Sequence, residues 1–163
     1  MKKIKKKKLL IFIISYKASH RIIDVYNQIP IEKLKKFEVK ILISDDNSKD
    51  DTVNYIKKIK NNKIYVNFNK YNMGYGSHIK KCLNFAINKR CDYAVMIHGD
   101  GQYNPNYIPQ LLNSFTKKES KFIGAVTGSR LLKGLSSVKK GGMPIYKMFG
   151  NIILTKIFNV LFN

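Results

Sequence analysis

Short apolar runs alternate along the chain with longer segments in which apolar residues recur at helical spacing. The runs are rich in branched and aromatic residues, which is typical of buried strands, and they cover residues 9–14, 39–43, 64–68, 93–97 and 122–127. Helices are predicted at residues 19–28, after a capping box formed by Ser48 and Asp51, along residues 79–87, and at residues 106–115. Because strands joined through helices need crossover connections, the pattern predicts an α/β fold with a mainly parallel sheet flanked by helices.

The carboxyl-terminal segment, residues 143–163, has a different pattern. Polar residues recur every four positions on one helical side, and apolar residues fill the opposite side: the polar set is Lys147, Asn151, Thr155 and Asn159, and the apolar set is Tyr146, Phe149, Ile153, Ile157, Val160 and Leu161. The polar interruptions argue against a membrane-spanning helix, which needs about 20 mainly apolar residues. We expect an amphipathic helix in the interface of an anionic membrane, with a core-facing helix as the alternative. The expected organisation is a basic tail at residues 1–8, one domain at residues 9–142 and this helix.

The net charge of the chain excludes fewer classes of binding partner than its magnitude suggests. Lysine and arginine number 31 against 10 acidic residues, and the formal net charge of +21 favours polyanions. The excess is mostly lysine and accompanies abundant asparagine and isoleucine, so it also fits a chain-wide compositional bias. The sequence has no recognisable nucleic-acid-binding motif, and no specific nucleic-acid partner is expected. The two cysteines, Cys82 and Cys91, are too few for a disulfide framework, which favours reduced thiols and a cytoplasmic protein.

Polar loops directly follow the predicted strands, where ligands bind in parallel α/β sheets. They lie at residues 15–17, 45–46, 72–76, 98–102 and 128–130. If the chain stays extended past residue 97, His98, Asp100 and Gln102 project to one side as three possible ligands, and Gly99 and Gly101 leave space for a ligand. The alternative is a Gly-Asp-Gly turn with a solvated acid.

Two common phosphate-binding sequences are absent. The chain has no Gly-x-x-x-x-Gly-Lys-Ser/Thr, and Gly74-Tyr75-Gly76 lacks the third glycine of a dinucleotide fingerprint because Ile79 occupies that position. Carboxylates that face a pyrophosphate repel it unless a divalent cation lies between them. Asp100 and the side-chain carbonyl of Gln102 suit Mg²⁺ or Mn²⁺, whereas a histidine ligand favours Mn²⁺.

Four ordered motifs carry a resemblance to a known family. They are Asp-Asp-Asn-Ser-x-Asp-x-Thr at residues 45–52, Asn-x-Gly-x-Gly at 72–76, His-Gly-Asp-Gly-Gln-Tyr-x-Pro at 98–105 and Gly-Ser-Arg at 128–130. In this order they resemble the inverting, nucleotide-sugar-dependent glycosyltransferases with the Rossmann-like GT-A fold. Within that family the chain is most similar to the polyprenyl-phosphate branch, which includes dolichol-phosphate mannose synthase.

The resemblance implies donor-binding roles for the residues that match these loops. Asp46, with Asp45, would contact the nucleoside, and Tyr16 would lie beside the base. Asn72 and Gly74 would shape the donor pocket. The implied donor-binding set is Tyr16, Asp45, Asp46, Asn72, Gly74 and Asp100.

The resemblance also implies a metal site and a reaction. Asp100 matches the second aspartate of the Asp-x-Asp motif, His98 stands at the first, and Gln102 matches a nearby ligand, so these three would hold Mg²⁺ or Mn²⁺. Arg130 would lie near the phosphates, which makes Asp100 and Arg130 the expected catalytic residues. The reaction would be displacement at the anomeric carbon with inversion.

The implied acceptor is a lipid phosphate at the cytoplasmic face of a membrane. Family relatives continue beyond the point that corresponds to Asn163, so we expect an incomplete domain. The alternative to an active transferase is a non-catalytic remnant or a donor-binding subunit. A second polypeptide would then supply the missing carboxyl-terminal half.

Overall fold

The computed structural model describes residues 5–59, 61, 64–116, 123–128 and 144–162. Four strands in this part of the chain form one sheet: β1 (Lys7–Ser15), β2 (Phe37–Asp45), β3 (Ile64–Phe68) and β4 (Tyr93–His98). The strand order is β3-β2-β1-β4, and every pairing is parallel. The predicted α/β fold with a parallel sheet is therefore confirmed.

Helices connect the strands and cover the sheet. They are α1 (Arg21–Asn27), α2 (Thr52–Lys58), α3 (Tyr75–Asn88), α4 (Ile108–Thr116) and α5 (Ile145–Phe162), with short 3₁₀ helices at Ile31–Leu34 and Pro105–Tyr107. Each predicted helix is present, and its ends differ from the prediction by a few residues. Crossover connections through α1, α2 and α3 join successive parallel strands.

The core lies on both faces of the central strand β1. Residues 9–14 are all buried, and alternate side chains enter different clusters. Leu9, Ile11 and Ile13 pack in a cluster with residues of α1, α2 and α4, whereas Leu10 and Phe12 pack in a cluster with residues of α3. Burial on both faces explains why this strand is a continuous apolar run without alternation.

The prediction of a fifth strand at residues 122–127 was wrong for the residues that the structure describes. Residues 123–128 have no regular secondary structure, and Phe122 lies outside the described residues. Ile123, Gly124 and Ala125 are exposed. Glycine and alanine are poor strand formers, and a short apolar run becomes a strand only where a neighbouring strand pairs with it.

The predicted capping box at Ser48 and Asp51 was also wrong. Asp51 stands at the amino-terminal cap of α2 without a side-chain capping hydrogen bond. Asp50 takes that role, because its Oδ1 accepts hydrogen bonds from the backbone N–H and hydroxyl of Thr52 at 3.1 and 2.6 Å. Ser48 bonds to Asp45 instead.

The chain divides into two compact units, Met1–Ser120 and Lys121–Asn163. The second contains α5, so the predicted terminal helix is confirmed, although Leu154 and Phe158 fall on the side of its predicted polar row. Most of the described apolar side chains of α5 are exposed, including Phe149, Ile153 and Val160. No helix among the described residues is long and apolar enough to cross a membrane.

Candidate functional site

The carboxyl ends of the strands are level with one another. Ser15 pairs in register with Asp45, and Ile14 pairs with His98. The loops that follow the strands meet at this edge and line an open pocket of about 370 Å³. Its lining residues are Ile14, Ser15, Tyr16, Asp46, Asn72, Gly74, Tyr75, His78, His98, Gly99 and Asp100. The fold thus brings together six of the predicted site residues: Tyr16, Asp46, Asn72, Gly74, His98 and Asp100.

The carboxylate of Asp46 connects the end of β2 to the loop before α3. Its Oδ1 accepts hydrogen bonds from Asn69 Nδ2 at 2.8 Å and from the backbone N–H of Met73 at 3.0 Å. Its Oδ2 accepts one from the N–H of Gly74 at 3.1 Å, and that N–H also lies 3.0 Å from Asn72 Oδ1. Gly74 has a φ of +78°, a conformation that favours glycine. Asp46 is only 3% exposed, so its carboxylate shapes the pocket wall.

Asp45 lies outside the pocket lining, although it precedes Asp46 directly. Its side chain is fully buried and accepts hydrogen bonds from the N–H and the hydroxyl of Ser48 at 2.8 and 2.6 Å. Ser48 Oγ in turn accepts a hydrogen bond from the N–H of Lys17 at 2.8 Å. Asp45 therefore organises the loops behind Tyr16, and its predicted contact with a nucleoside stays a prediction.

Thr52 was not predicted as a site residue, although the motif at residues 45–52 contains it. Its hydroxyl oxygen accepts hydrogen bonds from the N–H groups of Ala18 and Ser19 at 2.9 and 2.7 Å. It also donates to Asp50, whose carboxyl pKa is lowered: partial burial acts to raise it, but hydrogen bonds from Thr52 and Ser19 outweigh this effect. Thr52 thus holds the loop after β1, and only its place in the motif could have indicated this.

The loop after β4 does not stay extended. Gly101 has a φ of +78°, and Asp100 Oδ1 accepts a hydrogen bond from the backbone N–H of Gln102 at 3.0 Å, so the chain turns. Gln102 is not in the pocket lining, and the alternative of a Gly-Asp-Gly turn was the better prediction. Gly99 leaves no space for a ligand at its Cβ position, because an added Cβ would meet Ile22 Cδ1 at 2.8 Å.

His98 belongs to an aromatic group at the pocket. Its ring centroid lies 5.7 Å from that of Tyr75 and 4.9 Å from that of Tyr103, and its Nε2 lies 3.4 Å from the Tyr75 hydroxyl. These contacts orient the imidazole beside Asp100 in the pocket wall.

A divalent cation held with a phosphorylated ligand fits this site better than a cation held by the protein alone. Within the described ranges, no group of three or more His, Cys, Asp or Glu side chains could hold a metal ion. Mg²⁺ usually takes one or two carboxylates together with substrate phosphates and water. Asp100 offers one such carboxylate at the pocket, with His98 as its neighbour. The predicted phosphate contact Arg130 lies outside the described residues.

Two buried polar residues of the pocket were not predicted as site residues. His78, on α3, is 3% exposed, and its Nε2 lies 2.8 Å from Ser44 Oγ. Burial lowers its pKa, although Asp46 and Asp45 act in the opposite direction. Ser15 is also 3% exposed, and its Oγ has no hydrogen-bond partner in the described part of the chain. Ser15 belongs to the polar loop predicted at residues 15–17, whereas His78 lies in no recognisable motif and is identified by the fold alone.

Comparisons with known proteins bear separately on the family and on the fold. Residues 11–158 match the family model described as Glycosyl transferase family 2. No curated protein matches the sequence. Among solved structures, the mannosyltransferase PcManGT from Pyrobaculum calidifontis, in complex with GDP-Man and Mn²⁺, superposes with a TM-score of 0.56 at 10% identity. The match covers 71% of this chain and 34% of the mannosyltransferase chain, and at this identity it supports the GT-A fold alone.

Proposed function

The chain belongs to glycosyltransferase family 2, and we propose that its pocket binds a nucleotide-diphosphate sugar whose sugar is transferred to a membrane-associated acceptor. The observation that carries the proposal is the meeting of Tyr16, Asp46, Asn72 and Asp100 around one pocket at the carboxyl ends of the strands. Those residues come from four separate loops, and parallel α/β sheets bind their ligands at this edge.

We assign the nucleoside to the side of the pocket formed by Tyr16 and Asp46. The Tyr16 ring is half exposed, and an aromatic face there can stack on a base. Asp46 holds the N–H groups of Met73 and Gly74, so that the loop beside the nucleoside is rigid before the ligand arrives. A preformed loop lowers the ordering cost of binding. Asp45 supports the same side of the pocket through Ser48.

We assign the diphosphate to the side formed by Asp100. Mg²⁺ or Mn²⁺, bound together with the diphosphate, would neutralise part of the charge that builds up on the leaving group. Asp100 is the proposed ligand from the protein, with His98 as a second candidate, and the turn that Asp100 forms with Gln102 fixes its carboxylate. Arg130 stays a predicted phosphate contact.

The proposed reaction is a displacement at the anomeric carbon with inversion. A bond forms between the acceptor oxygen and the anomeric carbon, and the bond from that carbon to the diphosphate oxygen breaks. The nucleoside diphosphate leaves with the electron pair of the broken bond. A phosphate acceptor already carries an ionised oxygen at neutral pH, so a strong protein base is less necessary than for attack by a sugar hydroxyl.

We further propose that the acceptor is a polyprenyl phosphate and that the protein lies at the cytoplasmic face of a membrane. The exposed apolar side chains of α5 support this proposal, together with Lys147 and Lys156 on the same helix. Lysines near an anionic surface each add a favourable interaction of about 1 kcal/mol.

Calorimetric titration with nucleoside diphosphates and their sugars tests the proposal. In the presence of Mn²⁺ we expect the protein to bind uridine or guanosine diphosphate. Asp100→Asn should weaken this binding at least about tenfold, because the cation loses its charged ligand. In EDTA, wild type and Asp100→Asn should bind with the same low affinity.

Asp51→Asn is the matched control, because it makes the same charge change at an exposed carboxylate outside the pocket. It should bind like the wild type. Absence of nucleotide binding by the wild type, or unchanged binding by Asp100→Asn with Mn²⁺, would contradict the proposal. Addition of a polyprenyl phosphate then separates transfer by this chain from donor binding alone: turnover only with a second polypeptide would favour a split enzyme.

A further inference from the structure

Asn69 lies directly behind the pocket and is 7% exposed. Its Nδ2 donates to Asp46 Oδ1 at 2.8 Å, and its Oδ1 accepts hydrogen bonds from Lys81 Nζ at 2.5 Å and from Asn67 Nδ2 at 2.9 Å. Its backbone N–H donates to the carbonyl of Asp45 at 2.9 Å. With two donors on the oxygen side and a carboxylate on the nitrogen side, the orientation of the amide is defined.

This arrangement compensates a buried charge without a direct ion pair. A buried carboxylate needs hydrogen-bond donors and a nearby positive charge, because it has lost its hydration. Asp46 has three N–H donors, one of them from Asn69. In the described part of the chain it forms no salt bridge, and Lys81 lies one amide group away, on the far side of Asn69.

The same carboxylate holds the loop before α3. Met73 and Gly74 donate their backbone N–H groups to the two oxygens of Asp46, and Asn72 and Gly74 line the pocket. Rotation of the Asp46 carboxylate would break both backbone contacts together. The orientation of Asp46 therefore determines the position of this pocket wall.

We propose that Asn69 and Lys81 are positioning residues: through the Asn69 amide they orient Asp46, which holds the loop at residues 72–74 in the conformation that binds the nucleotide. The proposal rests on the proposed function, because it assigns a nucleotide to this pocket. Neither residue lines the pocket, so they act on the ligand through Asp46 and the loop. The expected effect is on nucleotide affinity, with little effect on the rate of the bond-breaking step.

Two measurements on the same variants test this. Calorimetry gives the Kd for a nucleoside diphosphate with Mn²⁺, and NMR gives amide hydrogen exchange at Met73 and Gly74 without nucleotide. Asn69→Ala should raise the Kd about tenfold, the order expected when a buried charged group loses one hydrogen bond, and should speed exchange at both amides. Lys81→Met should also raise the Kd, roughly threefold, and speed exchange at both amides. The effect on Kd is smaller because Lys81 acts on Asp46 only through Asn69.

The chain offers a close control for each variant. Lys80→Met changes the exposed neighbour of Lys81, and Asn84→Ala changes an exposed asparagine on α3. Both should leave the Kd and the exchange rates at wild-type values. Unchanged exchange at Met73 and Gly74 in folded Asn69→Ala would overturn the proposal, and so would an unchanged Kd.

Loss of loop positioning and absence of nucleotide binding give different results in these measurements. If Asn69→Ala does not fold, Lys81→Met provides the test, because the Lys81 side chain is exposed and its replacement should leave the fold intact. Faster amide exchange together with a raised Kd in Lys81→Met supports the proposal. A wild-type exchange rate or a wild-type Kd overturns it. If the wild type binds no nucleoside diphosphate, the proposed function fails, and the proposed effect on affinity fails with it. Exchange at Met73 and Gly74 then still decides whether Asn69 and Lys81 position the loop.

Discussion

The hydroxyl of Ser48 donates a 2.6 Å hydrogen bond to the carboxylate of Asp45, and both residues are buried. The N–H of Ser48 donates to the other carboxylate oxygen at 2.8 Å. Because Ser48 Oγ also accepts the N–H of Lys17, the pair connects the loop after β2 to the loop after β1. Asp45 therefore stabilises the loops that form the pocket, whereas Asp46 and Asp100 line it.

Ser48→Ala should lower the free energy of unfolding by about 2 kcal/mol, because a buried carboxylate loses a charge-assisted hydrogen bond and the N–H of Lys17 loses its acceptor. Urea unfolding measures the change. Ser77→Ala, at an exposed position of α3, should stay within about 0.5 kcal/mol of wild type. Equal effects of the two substitutions would show that the Ser48 contacts contribute nothing to stability.

Gly99→Ala should destabilise the protein by about 2 kcal/mol, because the fold has no room for the added methyl group. The new Cβ would lie 2.8 Å from Cδ1 of the fully buried Ile22 and 3.3 Å from the carbonyl oxygen of Ile14. Gly76 is the contrasting position, in the first turn of α3, with nothing within 4 Å of an added Cβ. Thermal unfolding should find Gly76→Ala neutral or more stable by up to about 1 kcal/mol. A Gly99→Ala protein as stable as wild type would refute the close packing.

Stability should fall as the pH drops below about 6.5, through the buried imidazole of His78. Burial lowers the pKa of His78 from its ordinary value of 6.5, so below that pH the unfolded chain binds a proton that the folded protein does not. The unfolded state then binds more protons than the native state, and the free energy of unfolding decreases with falling pH. His78→Gln should reduce this slope below pH 6.5 in urea unfolding. His20→Gln, at an exposed position, should retain the wild-type slope, and the same slope in all three proteins would exclude His78 as its source.

Tyr16→Ala should weaken nucleoside diphosphate binding about tenfold, the order expected for loss of one stacked aromatic ring. Tyr16 lines the pocket and is 48% exposed, so its removal should leave the core intact. Tyr71→Ala removes an even more exposed ring outside the pocket lining and should bind like wild type. Calorimetric titration of both variants gives the comparison. Equal Kd values for Tyr16→Ala and wild type would remove Tyr16 from the donor site.

The central strand β1 could be predicted because burial on both faces leaves a continuous apolar run at residues 9–14. The predicted strand at residues 122–127 had a similar apolar run, but residues 123–128 are mostly exposed and form no strand. Composition alone cannot distinguish these segments, because a strand also needs a neighbour that accepts its hydrogen bonds.

Local side-chain hydrogen bonds explain the other differences between the predictions and the structure. Ser48 and Asp51 have the spacing of a capping box, yet the buried Asp45 carboxylate takes the Ser48 hydroxyl and Asp50 caps the helix. The sequence of residues 98–102 was compatible with an extended chain or with a turn. The hydrogen bond from the Gln102 N–H to the Asp100 side chain stabilises the turn. Such choices depend on which donor and acceptor meet in space, and spacing along the chain does not specify that.

The sequence by itself determined the alternation of strands and helices, the polar loops that follow the strands, and the family to which the chain belongs, because hydrophobic periodicity and ordered motifs are properties of the linear chain. Only the tertiary structure decided that Asp46 lines the pocket while Asp45 is buried behind it, and that Asn69 and His78 lie beside them. Adjacent residues at a strand end face opposite ways, so the packing of each side chain against other elements determines which carboxylate meets a ligand.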